Sequence, residues 1–212
     1  MFYLLSKFVD SILWLIKWPL AGVMLYWYLD IFSFFVAMLL EFLYQASWVY
    51  VAGAIVFIVT NFLGNYSNNR FLIWEHEMSH FIFARLTFKQ NVRIEVYPEG
   101  ESDYKGRAGY CYYENGDNWL IAIAPYFFPT LTLLLSLLYL LPIGDLNVIL
   151  DFCLGFSIAY HLKTNFIELY YNFSPSIKGG KTDITELGKT FAFIMIPPLN
   201  FVVFSIVIIA LI

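Results

Sequence analysis

The chain has 212 residues, 60% of them hydrophobic and 13% charged, and a formal net charge of −4. Typical soluble domains are about 45–50% apolar and about 25% charged. A soluble globule of this size cannot hide so many apolar side chains, and a disordered chain would not carry them. The acidic balance, with no basic stretch, argues against nucleic acid as a partner.

Composition therefore predicts an all-α polytopic membrane protein in contact with the lipid bilayer, a single domain over residues 1–212. Residues 1–17 hold Lys7, Asp10 and Lys17 among apolar neighbours and read as an interfacial helix, not as a cleaved signal peptide. About six spans follow. The first covers 18–40, opening at Trp18-Pro19, where proline suits a first helical turn. The second covers 47–64. The third, 71–88, is interrupted by Glu75, His76, Glu77, Ser79 and His80. Residues 89–118 contain VRIEVY (92–97), PEG (98–100) and GRAGYCYYE (106–114), and read as a small β-hairpin. Alternation at Val92, Ile94 and Val96 predicts one packed strand face. The fourth span covers 119–141 and the fifth 146–169. A Pro/Gly-rich loop, 170–187, leads into the sixth, 188–212, which contains Pro197-Pro198 and Asn200.

With six spans, Lys7, Lys17 and Arg70 fall on one side of the membrane. Arg85, Lys89, Arg93, Lys105, Arg107, Lys163, Lys178, Lys181 and Lys189 fall on the other, which the basic excess makes cytoplasmic. Cys111 lies in a polar run and Cys153 in an apolar one, so no disulfide is expected.

The chemistry concentrates in FLIWEHEMSHFIFARLTF. Residues four apart share a helix face, so His76 and His80 can grip one metal ion from consecutive turns. Glu77, between them, can reach an attacking water as general base. Zn²⁺, one per chain, suits two imidazoles and an open position. Charged groups in a span cost at least ~2.5–3.5 kcal/mol at its centre, and such residues are usually functional. A third ligand must come from elsewhere, and Asp183, Glu168 and His161 are the candidates. Asp183 and Glu186 also stand at capping-box spacing. His161, with Asn165 one turn along the same face, is a candidate for transition-state support or for holding a ligand from behind. Arg70, Glu75 and Arg85 read as solvent or interface charges.

WEHEMSHFIFARLTF resembles the zinc-binding helix of the site-2 protease (M50) family of intramembrane metalloproteases. VRIEVYPEG and GRAGYCYYE resemble the short β segment that follows it there, and IAIAPYFFPTL (121–131) resembles the next transmembrane helix. Asn172, Pro175 and Asp183 are similar to the family's Asn-Pro-Asp region. The resemblance spans residues 71 to 200. Within it Phe88 stands where the family often has glycine, and Asp183 is followed by Ile184 instead of glycine. The resemblance implies Asp183 as third ligand beside His76 and His80, with Glu77 catalytic. It also implies hydrolysis of a peptide bond in or near a transmembrane segment of a membrane-protein substrate. The expected site is a multi-pass position in a cell (cytoplasmic) membrane. The rival expectations are a metal-handling membrane transporter, which has no need of Glu77, and a non-proteolytic membrane scaffold.

Overall fold

The computed structural model describes residues 2–45, 47–63, 69–98, 101–102, 108–139, 141, 147–173 and 182–211. The hairpin tip at 103–107 and most of the Pro/Gly-rich loop (174–181, with Pro175) lie outside the described residues. So do Lys105, Arg107, Lys178 and Lys181.

The chain opens with helices Phe2–Tyr26 (α1) and Tyr28–Gln45 (α2). The expected interfacial segment and first span are thus redrawn. Pro19 lies inside α1 and does not start a helix. The interruption falls at Trp27, and even there helical hydrogen bonds run through, from Trp27 N to Val23 O and from Ile31 N to Trp27 O. Pro19 lacks one donor, and the remaining ladder carries the helix past it. Trp48–Leu63 (α3) and Asn69–Leu86 (α4) follow, near their expected bounds. Phe88, with φ of 60°, stops α4.

Gln90–Val96 (β1) and Gly109–Glu114 (β2) pair antiparallel, with Ile94 opposite Cys111 and Val96 opposite Gly109. Val92 is buried and Ile94 and Val96 half-buried, while Asn91, Arg93 and Glu95 are exposed, as the alternation predicts. The expected fourth span is broken. Trp119–Ile123 (α5) runs through one 3-10 turn, Ala124–Tyr126, and then turns by 75° into Thr130–Leu138 (α6). Pro125 and Pro129 each remove a helical donor at the break. Asn147–Phe173 (α7), the short Asp183–Leu187 (α8) and Lys189–Leu211 (α9) complete the chain.

Among the described residues, three helices are long and apolar enough to cross a membrane: α1, α2 and α9. The bent pair is a fourth if it counts as one span. The count of six does not follow from helix length and composition. Helix α3 is only 16 residues long. Helix α4 is studded with polar groups, and α7 carries Asp151, His161, Lys163, Asn165 and Glu168. Helix α2 has no fully buried residue, although Phe35 stacks on Phe201 of α9 and Phe32 tilts against it. Its exposed Phe34, Leu40 and Tyr44 would be an untenable surface in water and an ordinary one in lipid.

The basic residues are also distributed differently from the expectation. Lys89 Nζ, wholly buried, contacts both carboxylate oxygens of Asp10 on α1 at 2.7 Å, and Asn118 donates to Asp10. Lys7 Nζ approaches Gly116, beyond β2. Lys7 and Lys17 therefore sit on the hairpin's side of the molecule. Helix α1 runs through the boundary on which that grouping of the basic residues rested.

The core lies where the bend, α8 and the start of α9 meet. Ile121, Ile123, Tyr126, Ile184, Phe191 and Met195 are fully buried there. A second contact joins α3 to α7. A Cβ on Gly155 would lie 1.9 Å from Tyr50 O, and one on Gly53 2.1 Å from Phe152 O. Only glycine lets two helix backbones approach this closely. Gly155→Leu is expected to lower the thermal unfolding midpoint in detergent sharply, since overpacking costs about 1–3 kcal/mol even where side chains can move. Gly22→Ala, whose Cβ meets nothing within 4 Å, is expected to leave the midpoint unchanged.

Candidate metal centre

The spacing of His76 and His80 brings their rings to 4.9 Å between centroids, one turn apart on α4. Asp183 reaches them from the first residue of α8. Its Oδ2 lies 3.4 Å from His76 Nε2 and 3.5 Å from His80 Nε2. These separations exceed a good N–H···O bond, about 2.7–3.2 Å. They match instead the edge of a tetrahedron, about 3.3 Å, built on metal–ligand bonds of about 2.0–2.1 Å. Among the described residues, His76, His80 and Asp183 are the group that can hold a metal ion, their ligand atoms all within 4.8 Å of one another.

The other ring nitrogens are committed elsewhere. A carboxylate only accepts, so His76 Nδ1–H donates to Glu168 Oε2, at 2.8 Å. His80 Nδ1–H donates to the Ile121 carbonyl, also at 2.8 Å. With Nδ1–H committed in this way, it is Nε2 of each ring that is turned toward Asp183, the orientation typical of metal-ligating histidines.

Of the three candidates for the third ligand, the geometry brings only Asp183 to the Nε2 atoms. Glu168 stands on the opposite edge of the His76 ring. His161 is buried at 3% exposure with its ring against Phe204, 5.6 Å away. The capping role considered for Asp183 falls to its neighbour. Thr182 is the N-cap of α8 and shares a capping box with Thr185. Asp183 is thereby left free to face the histidines.

Asp183 is held from one more side. The Tyr126 hydroxyl donates to its Oδ2 at 3.2 Å. The Tyr126 carbonyl in turn accepts from Asn165 Nδ2 at 2.6 Å and Asn200 Nδ2 at 2.8 Å. Asn165 thus acts on the site through Tyr126, by fixing the turn that Pro125 creates. No motif in the sequence singles out Tyr126 or Asn200. Their signal lay in the prolines nearby, since a broken helix leaves carbonyls for side chains to satisfy.

Glu77 lines a cavity of about 410 Å³ together with His80, Asp183, Cys111 and, from α1, Trp14 and Lys17. The Cys111 backbone N–H faces the Glu77 carboxylate. A Cβ on Gly109 would come 2.4 Å from Ile73 Cγ2 and 3.5 Å from Glu77 Cγ, so β2 presses directly on α4 beside Glu77. Burial, with the Glu77 charge second, pushes the Cys111 thiol up to about 12, so it stays protonated. Cys111 and Cys153 are both free. Arg70 and Arg85 are exposed as expected. Glu75 is not, being 7% exposed. It projects from α4 toward α7 because residue 75 faces away from the cavity side that residue 77 serves.

Fold and site together describe a mostly helical protein, with helices able to cross a membrane and a His–His–Asp group able to hold a metal ion. No known family, curated protein or solved structure matches the chain.

Proposed function

We propose that the chain is a multi-pass membrane zinc endopeptidase of the site-2 protease (M50) type. It would reside in a cell membrane and cleave a peptide bond in or beside a transmembrane segment of another protein. One observation carries this reading. The Nε2 atoms of a His-Glu-x-x-His helix converge with a carboxylate from a distant helix, and the intervening glutamate opens on the same cavity.

His76, His80 and Asp183 would hold Zn²⁺, which when bound supplies Lewis acidity to polarise a carbonyl and acidify water. Glu77 takes the proton of the attacking water as the C–O bond forms. It passes that proton to the amine nitrogen as the C–N bond breaks. Glu168 and the Ile121 carbonyl hold the two imidazoles in their ligating tautomers. Tyr126 holds Asp183. A transporter would have no use for Glu77 in this position. The decisive experiment is cleavage of a membrane-embedded reporter by purified protein in lipid, with metal content measured in parallel.

A transmembrane substrate must present an extended backbone to be cut. The edge of β2 that carries the Cys111 N–H borders the cavity and can accept such a segment as a third strand. Tyr113 lies two residues on and so shares that edge. Tyr113→Pro removes one donor there. It is expected to reduce reporter cleavage well below that of Tyr113→Ala, with metal content equal in the two variants. Equal cleavage by both variants would remove the strand from the substrate's path.

A further inference from the structure

Behind His76, on the side away from the large cavity, lies a small space of about 10 Å³. Glu75, His161, Asn165 and Glu168 are among its walls. Three of these residues bring a buried polar atom that has no hydrogen-bond partner among the described residues: Glu75 Oε1, His161 Nε2 and Asn165 Oδ1. The residues are 7%, 3% and 7% exposed. A buried polar atom left without a partner carries the full penalty of losing its water, so three around one space call for a shared partner. A space of this size corresponds to a single water-sized probe, and a buried water needs two to four polar partners.

We propose that this space is a binding site for one water molecule that joins α4 to α7 behind the metal centre. The hydrogen-bond count closes. The water donates one proton to Glu75 Oε1 and the other to Asn165 Oδ1, and accepts from His161 Nε2–H. Asn165 already holds the Tyr126 carbonyl, and Glu75 adjoins His76 in sequence. The bridge therefore ties together the supports of two metal-ligand candidates. His161 is by this account a positioning residue, acting through the water. The neighbouring groups that compete with the bridge are the Tyr160 hydroxyl and the Leu131 backbone N–H, which face Glu75, and Asn200, which faces His161.

The role in positioning rests on the proposed metal site, whereas the water site itself does not, and two experiments separate them. A crystal structure of the full chain that resolves ordered solvent is expected to show one peak about 2.7–3.2 Å from all three atoms. Direct Glu75–Tyr160 and His161–Asn200 bonds around a collapsed space would overturn the proposal. In solution, Glu75→Leu and His161→Leu each release the water, so their losses in thermal midpoint are expected to be strongly non-additive. His161→Gln, which restores a donor, is expected to recover most of the loss. Additive losses, or no recovery by glutamine, would overturn it as well. For the positioning role, His161→Leu is expected to raise the Zn²⁺ dissociation constant about tenfold, with His161→Gln close to the parent protein. An unchanged constant beside a resolved water would leave the site and refute its link to the metal centre.

Discussion

Glu77→Gln is expected to abolish cleavage of a membrane reporter while leaving one Zn²⁺ per chain in place. The carboxylate faces the cavity shared with His80 and Asp183, and is not among the three groups whose ligand atoms converge. Glutamine keeps the shape and the contact with the Cys111 N–H but cannot take a proton from water. General-base catalysis contributes typically about 10²–10⁴-fold, so the residual rate should fall by at least that range. Cleavage within tenfold of the parent, at equal metal content, would remove Glu77 from the chemistry. Zinc loss in the same variant would make it a ligand instead.

Loss of metal is the second large effect, and it should grade with distance from the convergence point. His76→Ala, His80→Ala and Asp183→Ala each delete one of the three converging ligand atoms and are expected to empty the site at micromolar zinc. Glu168→Ala removes only the acceptor behind His76 Nδ1, 2.8 Å away. Such outer partners are worth about 10–100-fold in metal affinity, so this variant should bind zinc when it is supplied in excess. Tyr126→Phe, which loses a single 3.2 Å bond to Asp183, should be milder still. Metal content measured by atomic spectroscopy across this series checks the order. If Glu168→Ala empties the site and Asp183→Ala does not, the third ligand is Glu168 and α8 has another task.

Much of this arrangement is legible along the chain, because it is set by local spacing. A helix carries residues four apart on one face, so His76 and His80 converge wherever α4 is packed. Alternation in VRIEVY sets the inner face of β1 in the same way. Other features need the packed molecule. Whether Trp18-Pro19 begins a helix or is passed over depends on what surrounds α1. There Lys89 grips Asp10, and the Trp119 indole donates to the Leu13 carbonyl at 2.7 Å. Nothing local announces either bond.

The sequence by itself determined the apolar, helical character of the chain, the paired histidines with Glu77 between them, and the hairpin that follows. Each is a matter of composition or of a period shorter than two helical turns. Only the tertiary structure decided which carboxylate meets the histidines, that Glu168 stands behind His76, and that Tyr126 and Asn165 brace Asp183. It also brought Glu75 and His161 to one buried space and placed α1 beside the hairpin. These contacts join residues tens of positions apart. They depend on the 75° turn at Pro125 and Pro129 and on the glycine-permitted approach of α3 to α7. Spacing along a helix sets angles around that helix alone, and the meeting of two helices is set by the packing between them.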